Sequence, residues 1–451
     1  MARNGQKRPH DFYGPNPLPQ RKSVVVSILD VGTAKTTCII ARLKPEDHSY
    51  GQRYRTHGVE VLGFGHHRSH GIKSGYVIDL ERAEQGIRHA VHQAERMANL
   101  TLDTIIVSLT AGRIGSDVLA ASVALAGHAV SERDIARVLK AGSEHAIAPA
   151  RSILHSMPIG FALDGDRGIA DPRGMFGAQL GVDMHVVTAD IGPLRNLEQA
   201  INAAHLEVEG YVTAAHASGL SVLVDDEMDL GTVCLDIGAG TTSIGVFYDG
   251  EFVHADVVPL GGHHITMDLA RGLSTRIDEA ERLKTLHGSS LPSPADDRDM
   301  LTIPPVSDEG HEGGQQVPRG ALTRIIRPRL EEILELTRDR LSASGFAGLA
   351  AKRLVVTGGG SQMSGLAELS RRILSRNVRL GRPIGVSGLP EAATGPAFAA
   401  ACGLLIYPQR VRIASREHAG SQTFAANYSA GRATGTGGYF QKVSQWLKSS
   451  L

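Results

Sequence analysis

The chain has 451 residues, 42% hydrophobic and 21% charged, which is length and apolar content enough for roughly two to four domains with sizeable cores. Lys plus Arg equals Asp plus Glu at 47 each, so the overall charge gives no reason to expect a nucleic-acid partner. Cys38, Cys234 and Cys402 fall singly in apolar stretches, which excludes a disulfide framework and fits a reducing, cytoplasmic setting, and no apolar run reaches the ~18 residues of a membrane span.

Residues 1–22 carry four prolines and the cations Arg3, Lys7, Arg8, Arg21 and Lys22, and read as a disordered basic arm. The apolar run that follows stops at Asp30, so it is a strand and not the core of a signal peptide. Residues 24–43 read as strand, tight turn and strand, the turn being Asp30-Val-Gly-Thr-Ala-Lys-Thr36. Another strand is expected over 59–66, and a helix over 83–98 with Ile87, Ala90, Val91, Ala94 and Met97 on one face. His66, His67, His70, His263 and His264 lack a carboxylate or cysteine at ligand spacing and read as solvated.

Over 103–188 the pattern changes to a small α+β insert: strands at 104–109, 118–125, 152–161 and 184–188, a helix at 132–142, and a Gly- and Asp-rich loop at 164–181. A helix over 194–206, with Leu197, Ala200, Ile201 and Ala204 inward, leads to an apolar stretch at 211–223.

Residues 232–258 repeat the first pattern, as strand, turn Asp236-Ile-Gly-Ala-Gly-Thr-Thr242, strand, Asp249-Gly250 turn and strand. Two glycines let successive N–H groups point into one concavity of the kind that binds phosphate, and the aspartate at the strand end can hold a metal through water. One Asp-x-Gly between strands is more often a plain hairpin turn. Two in matched context, 206 residues apart from Asp30 to Asp236, point to two similar halves facing across a cleft, with both aspartates on one Mg²⁺.

Gly261-Gly262 opens a helix over 265–272, and a second helix is expected over 278–286. Residues 287–319 read as an exposed excursion with strand pieces at 300–303 and 316–317, and 321–342 as a long helix interrupted and kinked at Pro328. A strand then runs into Gly358-Gly359-Gly360 and Ser361, followed by helices over 366–374 and 394–405, and the folded core ends near Ile413. Residues 414–438 have no apolar periodicity and form a linker with a reach of ~25–30 Å. Beyond it Tyr439, Phe440, Val443, Trp446, Leu447 and Leu451 make one helical stripe with Lys442 and Lys448 outside it, the pattern of an interfacial helix drawn to anionic lipid.

The segments at Asp30, Asp236 and Gly358, in this order, resemble the phosphate 1, phosphate 2 and adenosine motifs of the actin, Hsp70 and sugar-kinase superfamily. Ser69-His-Gly-Ile72, Leu260-Gly-Gly-His-His-Ile-Thr-Met-Asp-Leu-Ala270, Ala280-Glu-Arg-Leu-Lys-Thr-Leu-His-Gly288, Gln316-Val-Pro-Arg319 and the amphipathic tail narrow this to the FtsA family of bacterial cell-division proteins. The resemblance implies an α/β, actin-like two-lobed ATPase fold with repeated βββαβα-type cores, an α+β insert subdomain and a C-terminal amphipathic helix. The corresponding parts are a first-lobe core (23–102, 189–222, 391–413), the insert (103–188), a second-lobe core (223–264, 346–390), a further subdomain (265–345), a linker (414–437) and a terminal helix (438–451).

It also implies a site for ATP and Mg²⁺. Asp30 and Asp236 would act at the metal through water, with Gly32, Thr33, Lys35, Gly238, Gly240, Thr241, Thr242, Gly262, Gly358, Gly359, Gly360 and Ser361 around the nucleotide and Glu281 and Lys284 at its ribose or adenine. From the residues alone, Glu281 and Lys284 are equally an exposed i, i+3 ion pair. The superfamily's water-positioning Gln or Glu has no counterpart between Gly210 and Gly219, with Glu209 one residue short, so slow hydrolysis at best is expected. Implied partners are the tail of the tubulin-like protein FtsZ at 265–345, later division proteins at the insert, anionic lipid on the cytoplasmic face of the inner membrane, and further copies in a filament. A small-molecule kinase of the same superfamily is the alternative, and it would need an acidic base for a substrate hydroxyl.

Overall fold

The repeat legible in the sequence is also a repeat of topology. The computed structural model describes residues 18–19, 21–46, 54–143, 148, 150–306, 314–346, 348 and 353–415, so most of the basic arm, the linker and the terminal helix lie outside the described residues. In the first sheet the order is Glu207–Thr213, Thr104–Leu109, Val24–Val31, Lys35–Pro45, His57–Arg68, with Val386–Ser387 added at the edge. In the second it is Asn377–Leu380, Arg353–Thr357, Thr232–Ile237, Thr242–Tyr248, Glu251–Val258. Each has two parallel pairings followed by two antiparallel hairpins, so the five strands match in order and sense. Three of the four hairpins close through short glycine turns, the exception being Lys35–Pro45/His57–Arg68, and the parallel strands arrive after helical crossovers.

Each sheet has its own core. Ile28, Ile39, Ile106 and Val212 are among the buried side chains of the first, and Val233, Leu235, Ile244 and Val356 among those of the second. Two helices join the halves, Ala214–Val222 and Ala399–Ser415. They meet where a Cβ at Gly403 would lie 1.6 Å from the Ala217 carbonyl oxygen, an approach only glycine permits. The second helix starts later than expected: Glu391–Ala393 and Pro396–Phe398 are separate 3-10 turns, and the α-helix begins at Ala399. Proline disfavours helical backbone in the residue before it, which holds the start back beyond Pro396.

The insert is a four-stranded antiparallel sheet in the order Gly115–Ala124, Gln179–Asp190, Arg151–Leu163, Asp166–Ile169, covered by the helix Glu132–Ser143. Two expectations are corrected here. The strand Thr104–Leu109 is not part of the insert but pairs in parallel with Val24–Val31, so the insert starts after it. The segment 164–181 is not all loop, because Asp164 (φ 52°) and Gly165 (φ 98°) turn the chain back into the strand Asp166–Ile169. Beyond the second sheet, helices Gly262–Gly272, Ile277–His287 and Arg319–Ala343 and the hairpin Met300–Ile303/Gln315–Pro318 form a further unit. The expected interruption at Pro328 is absent, since one helix runs through it with Leu322, Ile326, Leu330, Ile333 and Leu334 buried on both sides of the proline. That apolar stripe offsets the backbone bond the proline removes.

Candidate nucleotide site between the lobes

The two glycine turns are closed by equivalent bonds: Gly32 N–H donates to Lys35 O at 3.0 Å and Gly238 N–H to Thr241 O at 2.9 Å. They face each other closely. A Cβ at Gly240 would lie 2.4 Å from Thr33 Oγ1 and 2.8 Å from Ser74 Cα, and Thr33 Oγ1 accepts from Gly75 N–H at 3.3 Å. Thr33, Gly240 and the Ser74-Gly75 turn therefore form the contact between the lobes at this point.

Beneath the turns lie the two carboxylates and one lysine. Ser108 donates to Asp30 Oδ1 at 2.5 Å, and Ser218 donates to Asp236 Oδ2. Burial raises both carboxyls above the ordinary range. Asp236 is pushed up to about 6 by burial and by the charge of Asp30, against the opposing effects of Ser218 and Lys35. Asp30 is raised by burial against the opposing effects of Ser108 and Lys35. Burial lowers Lys35 to about 8 despite the pull of both aspartates, and its Nζ sits 3.2 Å from the centre of the Phe398 ring. Among the described residues one cation, Lys35, thus serves two acids in a desolvated cleft, an arrangement that favours binding further positive charge.

The triglycine turn adjoins Asp236. The strand Arg353–Thr357 pairs with Thr232–Ile237 so that Thr357 stands opposite Asp236, and Gly358 follows with φ +82°. A Cβ there would lie 2.1 Å from Asp236 Oδ1. Gly358 N–H donates to Pro396 O at 3.1 Å, and buried Ser361 returns its hydroxyl to Gly358 O at 2.7 Å. Gly359 is less confined, with Ala397 Cβ the nearest atom to an added side chain at 3.7 Å.

Other expected residues stand behind the turns. Gly262 N–H donates to Gly238 O at 2.9 Å and His263 N–H to Ala239 O at 2.7 Å, so the start of this helix braces the second turn from outside. Thr242 donates its hydroxyl to Leu260 O at 2.8 Å, and Thr241 is buried at the turn. Lys284 Nζ donates to Gly262 O at 3.1 Å, Thr266 Oγ1 at 2.8 Å and Glu281 Oε2 at 2.7 Å. Glu281 and Lys284 are thus the i, i+3 ion pair, and they tie the helix Ile277–His287 to the brace. Glu209 falls at a register break between Val208 and Gly210 of its strand.

Ser108, Ser218, Phe398 and the Ser74-Gly75 turn were not singled out in the sequence. Each lies in an unremarkable strand, helix or turn and enters the site only through tertiary packing. The tail residues Tyr439, Phe440, Lys442, Val443, Trp446, Leu447, Lys448 and Leu451 lie outside the described residues.

Two equivalent sheets with facing glycine turns define the actin-like two-lobed class. The same fold is seen in a structure of the PilM–PilN type IV pilus biogenesis complex, with a TM-score of 0.58 and 18% identity over 87% of this chain and 99% of that one. It is also seen in MreB5 of Spiroplasma citri bound to ADP, with a TM-score of 0.50 and 13% identity over 89% and 100%. Residues 111–188 match the family described as "SHS2 domain inserted in FTSA", which fits an insert starting after Leu109, and residues 233–403 match "Cell division protein FtsA". The cell division protein FtsA of Rhizobium meliloti (strain 1021) is 52% identical over 435 residues, covering 96% of this chain and 97% of the relative. The chain belongs to the FtsA family of cell division proteins.

Proposed function

We propose that the chain binds ATP with Mg²⁺ between its lobes and, in that state, assembles into filaments on the cytoplasmic face of the inner membrane at the division site. The observation that carries this is the pair Asp30 and Asp236, half-buried at equivalent ends of two facing turns with Lys35 beside them. No group of three or more His, Cys, Asp or Glu able to hold a metal occurs among the described residues. Two carboxylates alone under-coordinate a hard cation, so the residues fit a metal that takes its remaining oxygens from phosphate and water. The metal of bound Mg·ATP would supply the positive charge this cleft favours, and its phosphates the oxygens that complete the metal's shell. Asp30 and Asp236 would hold the metal side, Lys35 would carry charge toward the phosphates, and Gly358 would admit the nucleoside close to the strand end.

Closure of the lobes would favour head-to-tail assembly, and assembly would multiply membrane attachment. Six apolar side chains of the tail, each contributing ~1.5–3 kcal/mol if fully buried, lose much of that to helix ordering. One copy would bind reversibly and many linked copies tightly. The chain would tether the FtsZ tail through the unit at 265–345 and recruit later division proteins through the insert. Attachment would be peripheral, and no helix among the described residues is long and apolar enough to cross a membrane. The test is co-sedimentation with anionic liposomes, with and without Mg·ATP, of the full chain and a form ending at Gly437. ATP-enhanced pelleting lost on truncation supports the reading. Absent lipid binding favours the small-molecule kinase, and a screen of sugars and acetate for ATP-dependent phosphorylation would follow.

A further inference from the structure

Three of the chain's 20 histidines gather at one buried junction. His155 and His185 come from insert strands, and His216 from the helix Ala214–Val222 that joins the lobes. His155 Nε2 accepts the N–H of Thr213, the N-cap of that helix, at 3.0 Å, which leaves the proton on Nδ1 to donate to Tyr407 Oη at 3.0 Å. His185 Nδ1 donates to Phe252 O at 2.7 Å, and Ser116 donates to His185 Nε2 at 2.8 Å while accepting from Ala255 N–H at 3.0 Å. The insert thereby grips the edge strand Glu251–Val258 of the second lobe as well as the joining helix.

His216 is the meeting point. Its ring stacks on Phe252 at 4.3 Å with 6° between the planes, and meets His155 edge-on at 5.4 Å and Tyr407 at 5.3 Å. Its Nδ1 has no hydrogen-bond partner among the described residues, so ring packing rather than hydrogen bonding at that atom fixes it. Two residues on, Ser218 donates to Asp236. At about 100° per residue the two side chains leave the helix on nearly opposite sides. One side of the helix is thus held by the insert and the other by the cleft carboxylate.

The helix has no slack to absorb a shift between them. Gly403 of the partner helix sits against Ala217 O, and a Cβ at Gly219 would lie 2.2 Å from the Phe247 ring. A packed element clamped on all sides transmits displacement instead of deforming.

We infer that His155 and His216 are positioning residues that couple the insert to Asp236 through the helix Ala214–Val222, so that nucleotide in the cleft and a partner gripping the insert alter each other's binding. This rests on the nucleotide reading above. Linkage requires the effect to be reciprocal, and couplings of this kind are typically roughly 5- to 150-fold. The chemistry at the junction is neutral and aromatic, so the coupling runs through ring packing and a single hydroxyl.

The experiment is amide hydrogen exchange of the full chain with and without Mg·ATP, with ATP affinity measured on the same samples. In the unsubstituted protein, ATP should slow exchange in the insert strands Arg151–Leu163 and Gln179–Asp190, which lie outside the cleft. His216→Ala should abolish that response and weaken ATP binding by about fivefold or more, and His216→Phe, which keeps a ring on Phe252, should restore both. Ser218→Ala cuts the same strut at its other end and should abolish the insert response with the histidine junction intact, which keeps the test decisive if His216→Ala does not fold. ATP binding without any change in insert exchange overturns the coupling alone, as does a full response in Ser218→Ala. No ATP binding in the unsubstituted protein overturns the nucleotide reading and the coupling together.

Discussion

Asp30 and Asp236 occupy one register position in two hairpins, Asp30 facing Thr37 and Asp236 facing Ser243, each partner seven residues further along the chain. Their supports differ, because Ser108 reaches Asp30 from a neighbouring strand while Ser218 reaches Asp236 from the joining helix. The second acid also adjoins the triglycine turn, so it is the more informative target. Asp236→Ala should weaken Mg·ATP binding more than tenfold, read by titration calorimetry. The urea midpoint should change little, because relief of a half-buried carboxyl whose ionisation is opposed by desolvation offsets the Ser218 hydrogen bond that is lost. Unchanged affinity would remove Asp236 from the site.

Gly358 and Gly359 are adjacent and should behave differently. At Gly358 an alanine meets both a backbone at φ +82° and an oxygen of Asp236 at 2.1 Å, whereas at Gly359 the nearest atom is 3.7 Å away. Gly358→Ala should cost about 1–3 kcal/mol of stability and abolish nucleotide binding. Gly359→Ala should leave the fold within about 0.5 kcal/mol. Equal urea midpoints for the two variants would mean that the turn is looser than the geometry describes.

How much of this was legible beforehand follows from what each feature depends on. The glycine turns at Gly32 and Gly238 were readable because turn chemistry is local, and the repeat because two local patterns matched. The Asp164-Gly165 turn carried the same local signal, but surrounding glycines and aspartates hid it in a stretch read as loop. Thr104–Leu109 reads as part of the insert because strand pairing across 78 residues, as between Ile28 and Ile106, leaves no periodicity in the chain. Pro328 reads as an interruption and kink because propensity is local, while the buried leucine and isoleucine stripe that carries one helix through it is tertiary. Ser108, Ser218 and Phe398 had no signal to find, since their places in the site come from neighbours distant in sequence.

Lys284 separates a ligand role from a structural one. Its side chain is 13% exposed and donates to Gly262 O, Thr266 and Glu281, while Glu281 is 52% exposed. Lys284→Met removes the bonds to Gly262 O, Thr266 and Glu281 together and should cost about 1–2 kcal/mol. Glu281→Gln, in the more solvated partner, should cost no more than about 1 kcal/mol. If Lys284→Met lowers ATP affinity with an unchanged urea midpoint, the residue serves the nucleotide and not the brace.

The buried histidines set the response to acid. Burial lowers His155 and His185 to about 3 and His254 to about 4 from the ordinary 6.5, and holds His216 well below it. The unfolded chain takes up these protons near pH 6.5 and the folded chain does not, so their contribution is complete above that pH and is lost as the pH falls toward 3–4. Each histidine removes up to about 1.4 kcal/mol per pH unit across that window. Asp236 acts in the opposite sense: its folded pKa is raised to about 6, so protonation relieves the fold as the pH falls through that value. Asp30 is raised too and acts in the same sense as Asp236, but two carboxyls do not offset four imidazoles, and the urea midpoint of the nucleotide-free protein should be markedly lower at pH 5.5 than at pH 7.5. His254 stacks on Phe346 at 5.4 Å and its Nε2 has no hydrogen-bond partner among the described residues, so His254→Phe keeps the packing and removes one titrating group. That variant should recover about 1 kcal/mol of the loss over the first pH unit below 6.5. A midpoint that stays level or rises on acidification would mean that the junction admits water and that its histidines titrate normally.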